Sequence, residues 1–245
     1  MTVSDARQTF ESYLRWSAER QAQLRETKTT DSPLRTKAKH LVPTGRRGTA
    51  RVLLTDALRM RERGKAGRVT GSPLLLHLGS GGEHKANWVN IDLIGDPVEI
   101  SWNLARPLPF PDNSVDGVFH EHLLEHLPLA DTEPFMRECH RVLKPGAIAR
   151  AGVPDAGRLL TSYAGDGEYL EKLHPGRPTR MLAVQELFYW HRHCTMFDTE
   201  TLALVFRSAG FPEPEERQFG ETALPDTPDT ERRRDETLYM EAVKR

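Results

Sequence analysis

The chain has 245 residues, a formal net charge of -1 and a hydrophobic fraction of 38%. This length suits one domain with an appendage. No apolar stretch approaches the roughly 18 residues that a membrane-spanning helix needs, and the first residues lack the basic start and apolar middle of a secretory signal. Two cysteines, Cys139 and Cys194, are too few for a disulfide framework or a four-ligand zinc site. We therefore expect a reduced, soluble protein of the cytoplasm.

The charge is unevenly distributed along the chain. Residues 31–70 carry eleven Lys or Arg against three acids, a net charge of +8, which leaves -9 for the rest. The spacing of apolar residues predicts helices over 4–27 and 48–63. We place a domain boundary near residue 70, so that residues 1–70 form a basic helical extension. The simplest interpretation of this extension is a solvated helical cap. The alternatives are attachment to an anionic membrane surface, at the inner face of the membrane, or to a protein partner; no motif supports nucleic-acid binding.

Beyond residue 71, short apolar runs alternate with amphipathic segments. The predicted strands cover 74–78, 88–91, 115–119, 147–153, 214–219 and 237–243, and the predicted helices cover 121–127, 131–143 and 199–209. The first run, LLLHL, suits a strand that is buried on both faces of a parallel sheet. Strands that alternate with helices predict an α/β domain with a mostly parallel sheet.

Two motifs near the start of this domain suit nucleotide binding. Gly79 and Gly81 lie in the turn after the first strand, where glycines let a ligand approach the backbone and free N–H groups attract polar or anionic groups. Asp92 ends the second strand, where an acid can accept both ribose hydroxyls of a bound nucleotide. Each motif alone has a structural alternative, a tight turn for the glycines and the start of a turn for Asp92.

The spacing between these two motifs is short. It is usually about 20 residues, whereas Asp92 follows Gly79 by 13. A full helix and a strand barely fit into this distance. We therefore expect the first crossover helix to be very short or replaced by a loop.

Further segments match one superfamily in sequence order. They are NLARPLPFPDNSVDGVF at 103–119, LEHL at 124–127, RECHRVLKPGA at 137–147, AGVPD at 151–155, MFD at 196–198 and AGF at 209–211. Together with the glycine turn they resemble the class I S-adenosylmethionine-dependent methyltransferases, and most closely the small bacterial members of the type 11 branch. The resemblance covers roughly residues 74–244. It implies a Rossmann-like, mostly parallel seven-stranded sheet with helices on both faces over residues 71–245, and S-adenosylmethionine as the cofactor.

The resemblance also assigns roles to individual residues. The implied cofactor-binding residues are His77, Gly79, Ser80, Gly81, Asp92, Asn103, Leu104, His120 and Glu121. Asp92 would bind the ribose, Asn103 and Leu104 would border the adenine, and His120 and Glu121 would sit under the sulfonium. His77 departs from the Asp or Asn of many members, Glu83 replaces the final glycine of the turn, and Asn103 replaces the usual acid.

The catalytic candidates are His126 and then His122. A neutral histidine can remove a proton from a hydroxyl acceptor near pH 7, and the structural alternative is a histidine packed under the fourth strand. His122, Glu125 and His126 also match the H-x-x-E-H pattern of inverted zinc proteases. A zinc protease needs a third ligand, and this segment already belongs to the methyltransferase pattern, so we expect no metal site.

A long insertion, residues 156–197, is predicted to cover the acceptor as a lid. Its aromatic and basic residues are Tyr189, Trp190, His191 and His193, with Arg177 and Arg180 nearby. Such a lid suits a small-molecule or glycan acceptor, and we predict O-methylation of a glycan, a glycolipid or a small secondary metabolite. The alternative is a catalytically silent cofactor-binding or scaffold protein that docks through its basic arm. Aminopropyl transfer lacks the paired acids expected for a polyamine.

Overall fold

The computed structural model describes residues 3–27, 47–95 and 98–245. Residues 28–46, which include much of the predicted basic arm, lie outside the described residues. Packing divides the chain into two compact units, one of residues 46–157 and 194–245 and the other of residues 1–45 and 158–193. We call them the sheet unit and the helical unit.

The sheet unit contains seven strands. Along the chain they are β1 (Leu75–Leu78), β2 (Val89–Asp92), β3 (Ile100–Ser101), β4 (Val115–Glu121), β5 (Leu143–Pro154), β6 (Glu215–Arg217) and β7 (Thr237–Val243). Their order across the sheet is β3-β2-β1-β4-β5-β7-β6, and only β7 runs antiparallel to its neighbours. The predicted α/β fold with a mostly parallel seven-stranded sheet is confirmed.

The helices of this unit flank the sheet. They are α2 (Arg47–Ala57), α3 (Arg59–Ala66), α4 (Leu129–Val142) and α8 (Thr199–Ser208). The main core lies on one face of the sheet, where Leu76 and Leu78 of β1 share a buried cluster with Phe135, Met136 and other residues of α4 and α8. A smaller buried cluster of Leu75, Trp88, Phe119 and Leu224 lies on the other face. Alternate side chains of β1 therefore pack into the cores on opposite faces of the sheet, because successive side chains of a strand point to opposite faces.

The connection from β1 to β2 contains no helix, as the short spacing predicted. The buried Asn90 side chain holds this connection in place, because its amide donates to the carbonyls of Lys85 and Trp88 and its oxygen accepts from the Lys85 N–H, each at 3.0 Å. The segment before β7 makes polar contacts with the same connection: Lys85 donates to Thr230 at 3.2 Å, and the Trp88 indole donates to Asp226 at 3.2 Å. A loop from late in the chain thus occupies a place where a crossover helix is usual.

The structure differs from the sequence predictions in several elements. Residues 48–63 form two helices rather than one, only Leu124–His126 of the helix predicted over 121–127 is helical, as a 3₁₀ turn, and the two-residue strand β3 was not predicted. The sheet unit begins at Arg46 rather than near residue 70. The cause lies in the buried polar side chains of α2 and α3: Glu62 accepts from the Ser101 N–H at 3.0 Å and Thr55 accepts from the Ile94 N–H at 2.9 Å. These bonds tie both helices to the edge of the sheet.

The helical unit joins the first helix to the long insertion. It contains α1 (Val3–Thr27), most of α5 (Ala156–Ala164), α6 (Glu168–Leu173) and α7 (Arg180–Tyr189). Its polar centre is the buried Glu186, which accepts from Arg177 at 2.7 Å and from the Tyr13 hydroxyl at 3.1 Å. The Trp16 and Trp190 rings pack at a centroid distance of 5.0 Å. Among the described residues, no helix is both long and apolar enough to cross a bilayer.

A buried arginine fastens the segment before β7 to the sheet. The Arg150 guanidinium, fully buried on β5, forms paired bonds with Asp229 at 2.7 and 2.5 Å and a further bond with Glu241 at 2.9 Å. It also donates to the Glu221 carbonyl at 2.8 Å and lies 4.5 Å from the centre of the Tyr239 ring. A buried charge is tolerated only when it is paired in this way.

Arg150→Met should lower the free energy of unfolding by about 3–5 kcal/mol, because it leaves two buried carboxylates without their cation. Urea denaturation measures this loss. The matched control is Arg137→Met, which removes an exposed arginine paired with Glu133 and should leave the midpoint nearly unchanged. Equal midpoints for the two variants would show that the Arg150 network contributes no stability.

Candidate active site

The sheet order reverses between β1 and β4, and this reversal places a crevice at their carboxyl ends. Gly79 follows β1 with a φ of +69°, and a Cβ there would lie 2.7 Å from Leu123. Gly81 also has a positive φ, of +52°. Glycine alone fits the first position, because it tolerates both the left-handed backbone and the close approach of the Leu123 side chain.

Asp92 closes this turn from the end of β2. Its carboxylate accepts from the Gly81 N–H at 2.8 Å and from the Leu93 N–H, and it lies 3.9 Å from the Arg51 guanidinium. The side chain is 20% exposed. The two motifs that the sequence singled out are therefore in direct contact.

Two buried polar atoms at the carboxyl ends of β1 and β4 have no protein partner within the described part of the chain. They are the Ser80 hydroxyl and the Nδ1 atom of His120. Buried polar groups in native proteins nearly always have a hydrogen-bond partner, and an exception calls for an explanation such as a ligand. The glycine turn and these two atoms fit a polar ligand such as S-adenosylmethionine.

Asn103 and Leu104 follow β3 at the edge predicted for the adenine. The Asn103 amide donates to Asp56 of α2 at 3.2 Å, and its oxygen accepts from the Ala105 N–H. Leu104 packs against the main core. Asp56 and Arg51 are thus site-edge residues that sequence reasoning missed, since nothing in their local pattern distinguishes them from the other polar residues of a basic helix.

His77 and Glu121, two of the predicted cofactor-binding residues, are buried and have protein partners. His77 is buried against Phe119 and its Nδ1 lies 2.9 Å from the Asn90 oxygen. Glu121 accepts from the Tyr239 hydroxyl at 2.7 Å and lies 3.5 Å from Arg233. Residues 77, 119 and 121 share one face of the sheet because side chains alternate along a strand.

His120 lies on the opposite face of β4, in the main core. Its Nε2 contacts the Met136 sulfur at 3.3 Å, and the ring packs edge-on against Phe135. Burial lowers the pKa of His120 to about 3 and that of His77 to about 4. Both imidazoles are therefore neutral at pH 7, so a ligand that meets His120 Nδ1 meets an uncharged group.

His122 comes directly after β4 and has a positive φ of 53°. A residue other than glycine in this region is uncommon, and such strain concentrates at functional sites. The ring lies between two partners, with Nδ1 3.5 Å from the Glu125 carboxyl and Nε2 2.9 Å from the Thr237 hydroxyl. His122 is thus held at the carboxyl edge of the sheet by groups on both sides.

Glu125, which the sequence singled out only as part of the H-x-x-E-H pattern, is a buried acid beside this histidine. Its backbone carbonyl accepts the N–H groups of Cys194 at 2.6 Å and Thr195 at 3.2 Å, which fixes the 3₁₀ turn. Burial raises the pKa of Glu125 from 4.5 to about 8. The carboxyl group is therefore protonated at pH 7, and its carbonyl oxygen can accept from the Nδ1–H of His122.

His126, the first catalytic candidate, is exposed at the end of the same 3₁₀ turn. The H-x-x-E-H pattern assumed a helix with both histidines on one side. Only Leu124–His126 is helical here, and His122 has a left-handed backbone. The helical geometry on which the zinc-protease alternative rests is not present.

The chain was compared with known proteins. Solved structures that overlap with the chain include a SAM-dependent methyltransferase from Archaeoglobus fulgidus, at a TM-score of 0.45 and 16% identity, covering 79% of this chain and 94% of that one. Another is phosphoethanolamine N-methyltransferase 2 of Haemonchus contortus with phosphomonomethylethanolamine and S-adenosylhomocysteine, at a TM-score of 0.45 and 14% identity, covering 75% and 52% of the two chains.

Sequence comparison is more specific than these overlaps. A Mycolicibacterium smegmatis protein described as a probable S-adenosylmethionine-dependent methyltransferase is 36% identical over 118 residues, which are 48% of this chain and 42% of the relative. The chain therefore spans less than half of the length of that relative. Residues 76–150, which run from β1 into β5, match the family model of a methyltransferase domain.

The sheet unit is thus a Rossmann-like domain with a nucleotide-type crevice at its topological switch point. Its residues 76–150 match a methyltransferase domain, and it is similar to the class I S-adenosylmethionine-dependent methyltransferases, as the sequence motifs indicated; their cofactor is S-adenosylmethionine.

The protonated state of Glu125 makes a testable prediction about pH. In the unfolded chain this carboxyl group ionises at its ordinary pKa of 4.5, whereas the folded protein keeps the proton up to about pH 8. The free energy of unfolding therefore falls as pH rises through this interval. Glu125→Gln removes this contribution, so the stability of the variant relative to the wild type should grow by up to about 1.4 kcal/mol per pH unit.

Urea denaturation at several pH values between these limits measures the effect. The control is Glu200→Gln, which changes an exposed carboxylate near the start of α8 and should run parallel to the wild type. If Glu125→Gln also runs parallel, Glu125 is ionised in the folded protein and the raised pKa is rejected.

Proposed function

We propose that this protein transfers the methyl group of S-adenosylmethionine to a hydroxyl group of a glycan, a glycolipid or a small secondary metabolite. The main support is the glycine turn held by Asp92 at the reversal of the sheet order, together with two unpartnered buried polar atoms on Ser80 and His120, within a matched methyltransferase domain. The hydroxyl acceptor is supported by a histidine at the sheet edge that is held between two partners.

Different residues of this chain would bind different parts of the cofactor. The Gly79–Gly81 backbone would contact the methionine part of the cofactor, and Asp92 would accept the ribose hydroxyls. Bound S-adenosylmethionine supplies a methyl group on a positively charged sulfur. The neutral His120 adds no positive charge beside this sulfonium, which avoids a repulsion that a cationic imidazole would cause.

His122 would act as the general base, ahead of His126. A base is most effective when a third group orients it, and Glu125 lies 3.5 Å from His122 Nδ1. When Nδ1 carries the ring proton and faces the carbonyl oxygen of the Glu125 carboxyl group, the lone pair is on Nε2, which faces the Thr237 hydroxyl at 2.9 Å. The acceptor hydroxyl would give its proton to Nε2 as its oxygen bonds to the methyl carbon. Glu125 is then a positioning residue.

The role of the long insertion stays a prediction. Its helices pack with α1 in the helical unit. Trp190 packs on Trp16, Arg177 pairs with Glu186, and Arg180 donates to the carbonyls of Tyr163 and Gly165. Since Arg177 and Arg180 both have partners within this unit, they stabilise its structure. Positive charges that bind an acidic acceptor would have to come from other residues.

Asp92→Asn should weaken the binding of S-adenosylmethionine by about 2 kcal/mol, because the amide is a weaker acceptor for the ribose hydroxyls than a carboxylate. It keeps the size of the side chain and an oxygen for the Gly81 N–H. Isothermal titration calorimetry with S-adenosylmethionine measures the change. The control is Glu83→Gln in the same turn, where the carboxylate pairs with Arg232 at the surface and binding should persist. Unchanged affinity in Asp92→Asn would reject the ribose role.

His122→Gln should reduce methyl transfer about 100-fold or more, in the range typical of a lost general base, with little change in cofactor affinity. The readout is tritium transferred from labelled S-adenosylmethionine into glycan and lipid extracts of cells that lack the gene. His126→Gln is the matched control and should retain most of the activity. Glu125→Gln should lower the rate less than His122→Gln, since it keeps a carbonyl oxygen that accepts from the Nδ1–H.

Two outcomes would contradict this assignment. If His122→Gln is as active as the wild type while His126→Gln is inactive, the base is His126. If the wild type binds S-adenosylmethionine but methylates no extract, the catalytically silent alternative is favoured.

A further inference from the structure

The outer side of α2 and α3 is apolar, although both helices belong to the sheet unit. Leu53, Leu54 and Met60 are 65%, 56% and 75% exposed. The helical hydrogen bonds continue through the junction, since Leu58 donates to Leu54 and Glu62 donates to Leu58. Spacings of three and four residues then put Leu53, Ala57, Met60 and Gly64 along one line of a nearly continuous helix. We call this the α2–α3 outer face.

The inner side of the same helices packs against the rest of the sheet unit. Thr55, Glu62 and Ala66 are buried, and Arg51 donates to the carbonyls of Leu93 and Ile94 at 3.3 and 2.8 Å. The outer face therefore cannot turn inward to bury its leucines without breaking these bonds. Its apolar side chains remain available for something outside the domain.

Arginines border this apolar line on both sides. Arg61 and Arg68 lie on one flank and Arg59 and Arg63 on the other, and all four are exposed. Within the described residues, Arg61, Arg63 and Arg68 form no hydrogen bond or ion pair through their side chains. An apolar line with unpaired cations on its flanks is complementary to a surface that is both negatively charged and apolar beneath.

We propose that the α2–α3 outer face binds an anionic lipid bilayer. An amphipathic helix with arginines beside exposed leucines lies in the plane of the bilayer, with its apolar side in the acyl boundary and its cations among the lipid phosphates. An acidic protein surface would match the charges but would leave three large apolar side chains unexplained, and a nucleic acid would do the same. An anionic lipid surface can bind both the exposed apolar side chains and the arginines beside them.

This binding would place the cofactor edge of the domain beside the membrane. On its inner side α2 carries Arg51, 3.9 Å from Asp92, and Asp56, which accepts from Asn103 at 3.2 Å. The α2–α3 outer face is thus one helix thickness away from residues expected to hold the cofactor. The proposal does not depend on the methyl-transfer chemistry, since it concerns only this face.

Sedimentation of the full chain with vesicles tests the proposal. The chain should bind vesicles of phosphatidylcholine with about one third phosphatidylglycerol, bind far less to phosphatidylcholine alone, and be released by high salt. Arg61→Gln with Arg63→Gln should lower the partition coefficient about 25-fold, at about fivefold for each arginine. Leu53→Asp with Leu54→Asp should lower it at least about tenfold, because burial of both side chains is lost.

The matched control is Leu204→Asp with Arg207→Gln on α8, where the leucine is 64% exposed and the arginine is also at the surface. It should bind vesicles as the wild type does. Circular dichroism melting should show that all variants remain folded, since every substituted side chain is exposed.

Several results would overturn the proposal. One is a wild-type chain that stays in the supernatant with anionic vesicles at low salt. A second is equal binding by the leucine variant. A third is a dimer in sedimentation velocity that the leucine variant dissociates without any vesicle binding, which would make this face a subunit contact. Oligonucleotide binding that is lost in the arginine variant but kept in the leucine variant would point to nucleic acid instead.

Discussion

Ten residues connect β1 to β2, and this length governs much of the sheet unit. A parallel crossover normally takes a dozen or more residues, most of them in a helix that covers one face of the sheet. The shorter connection leaves Leu75 and Phe119 without such a cover. The residues before β7 take over that function, and Leu224 fills the small core that these side chains form.

Covering a sheet with a loop has a different chemistry from covering it with a helix. A helix satisfies its own backbone groups, whereas a buried loop presents carbonyls that need donors. Arg150 meets this need, since it donates to the carbonyls of Gln218 and Glu221 while its charge is balanced by Asp229. The same reasoning explains Glu121, which accepts from the Thr230 N–H and the Tyr239 hydroxyl. The buried polar residues Arg150 and Glu121 therefore lie in strands because they form hydrogen bonds with the backbone of the loop that covers the sheet.

Much of the fold could be predicted from local patterns, and the parts that could not depend on distant contacts. The strand over 74–78, the glycine turn and the missing first helix follow from composition and spacing alone. The two-residue strand β3 is too short to show the alternation of apolar and polar residues that predicts a strand. The departure at His77 is explained only by Asn90, and Asn103 finds its partner in Asp56, 47 residues earlier. A motif places a residue on a strand, but the face it occupies and the group it meets are set by the rest of the chain.

The loop cover also has a consequence for synthesis on the ribosome. The hydrogen bond from Lys85 cannot form until Thr230, 145 residues later, has been synthesised. The bond from Trp88 likewise requires Asp226, 138 residues later. At the usual speed of translation this delay is on the order of ten seconds. Until then the nascent chain carries Leu75 and Phe119 on an open sheet face, a state that invites aggregation or capture by chaperones. The yield of this protein in a cell should therefore respond more to chaperone supply and elongation speed than its small parallel sheet would suggest.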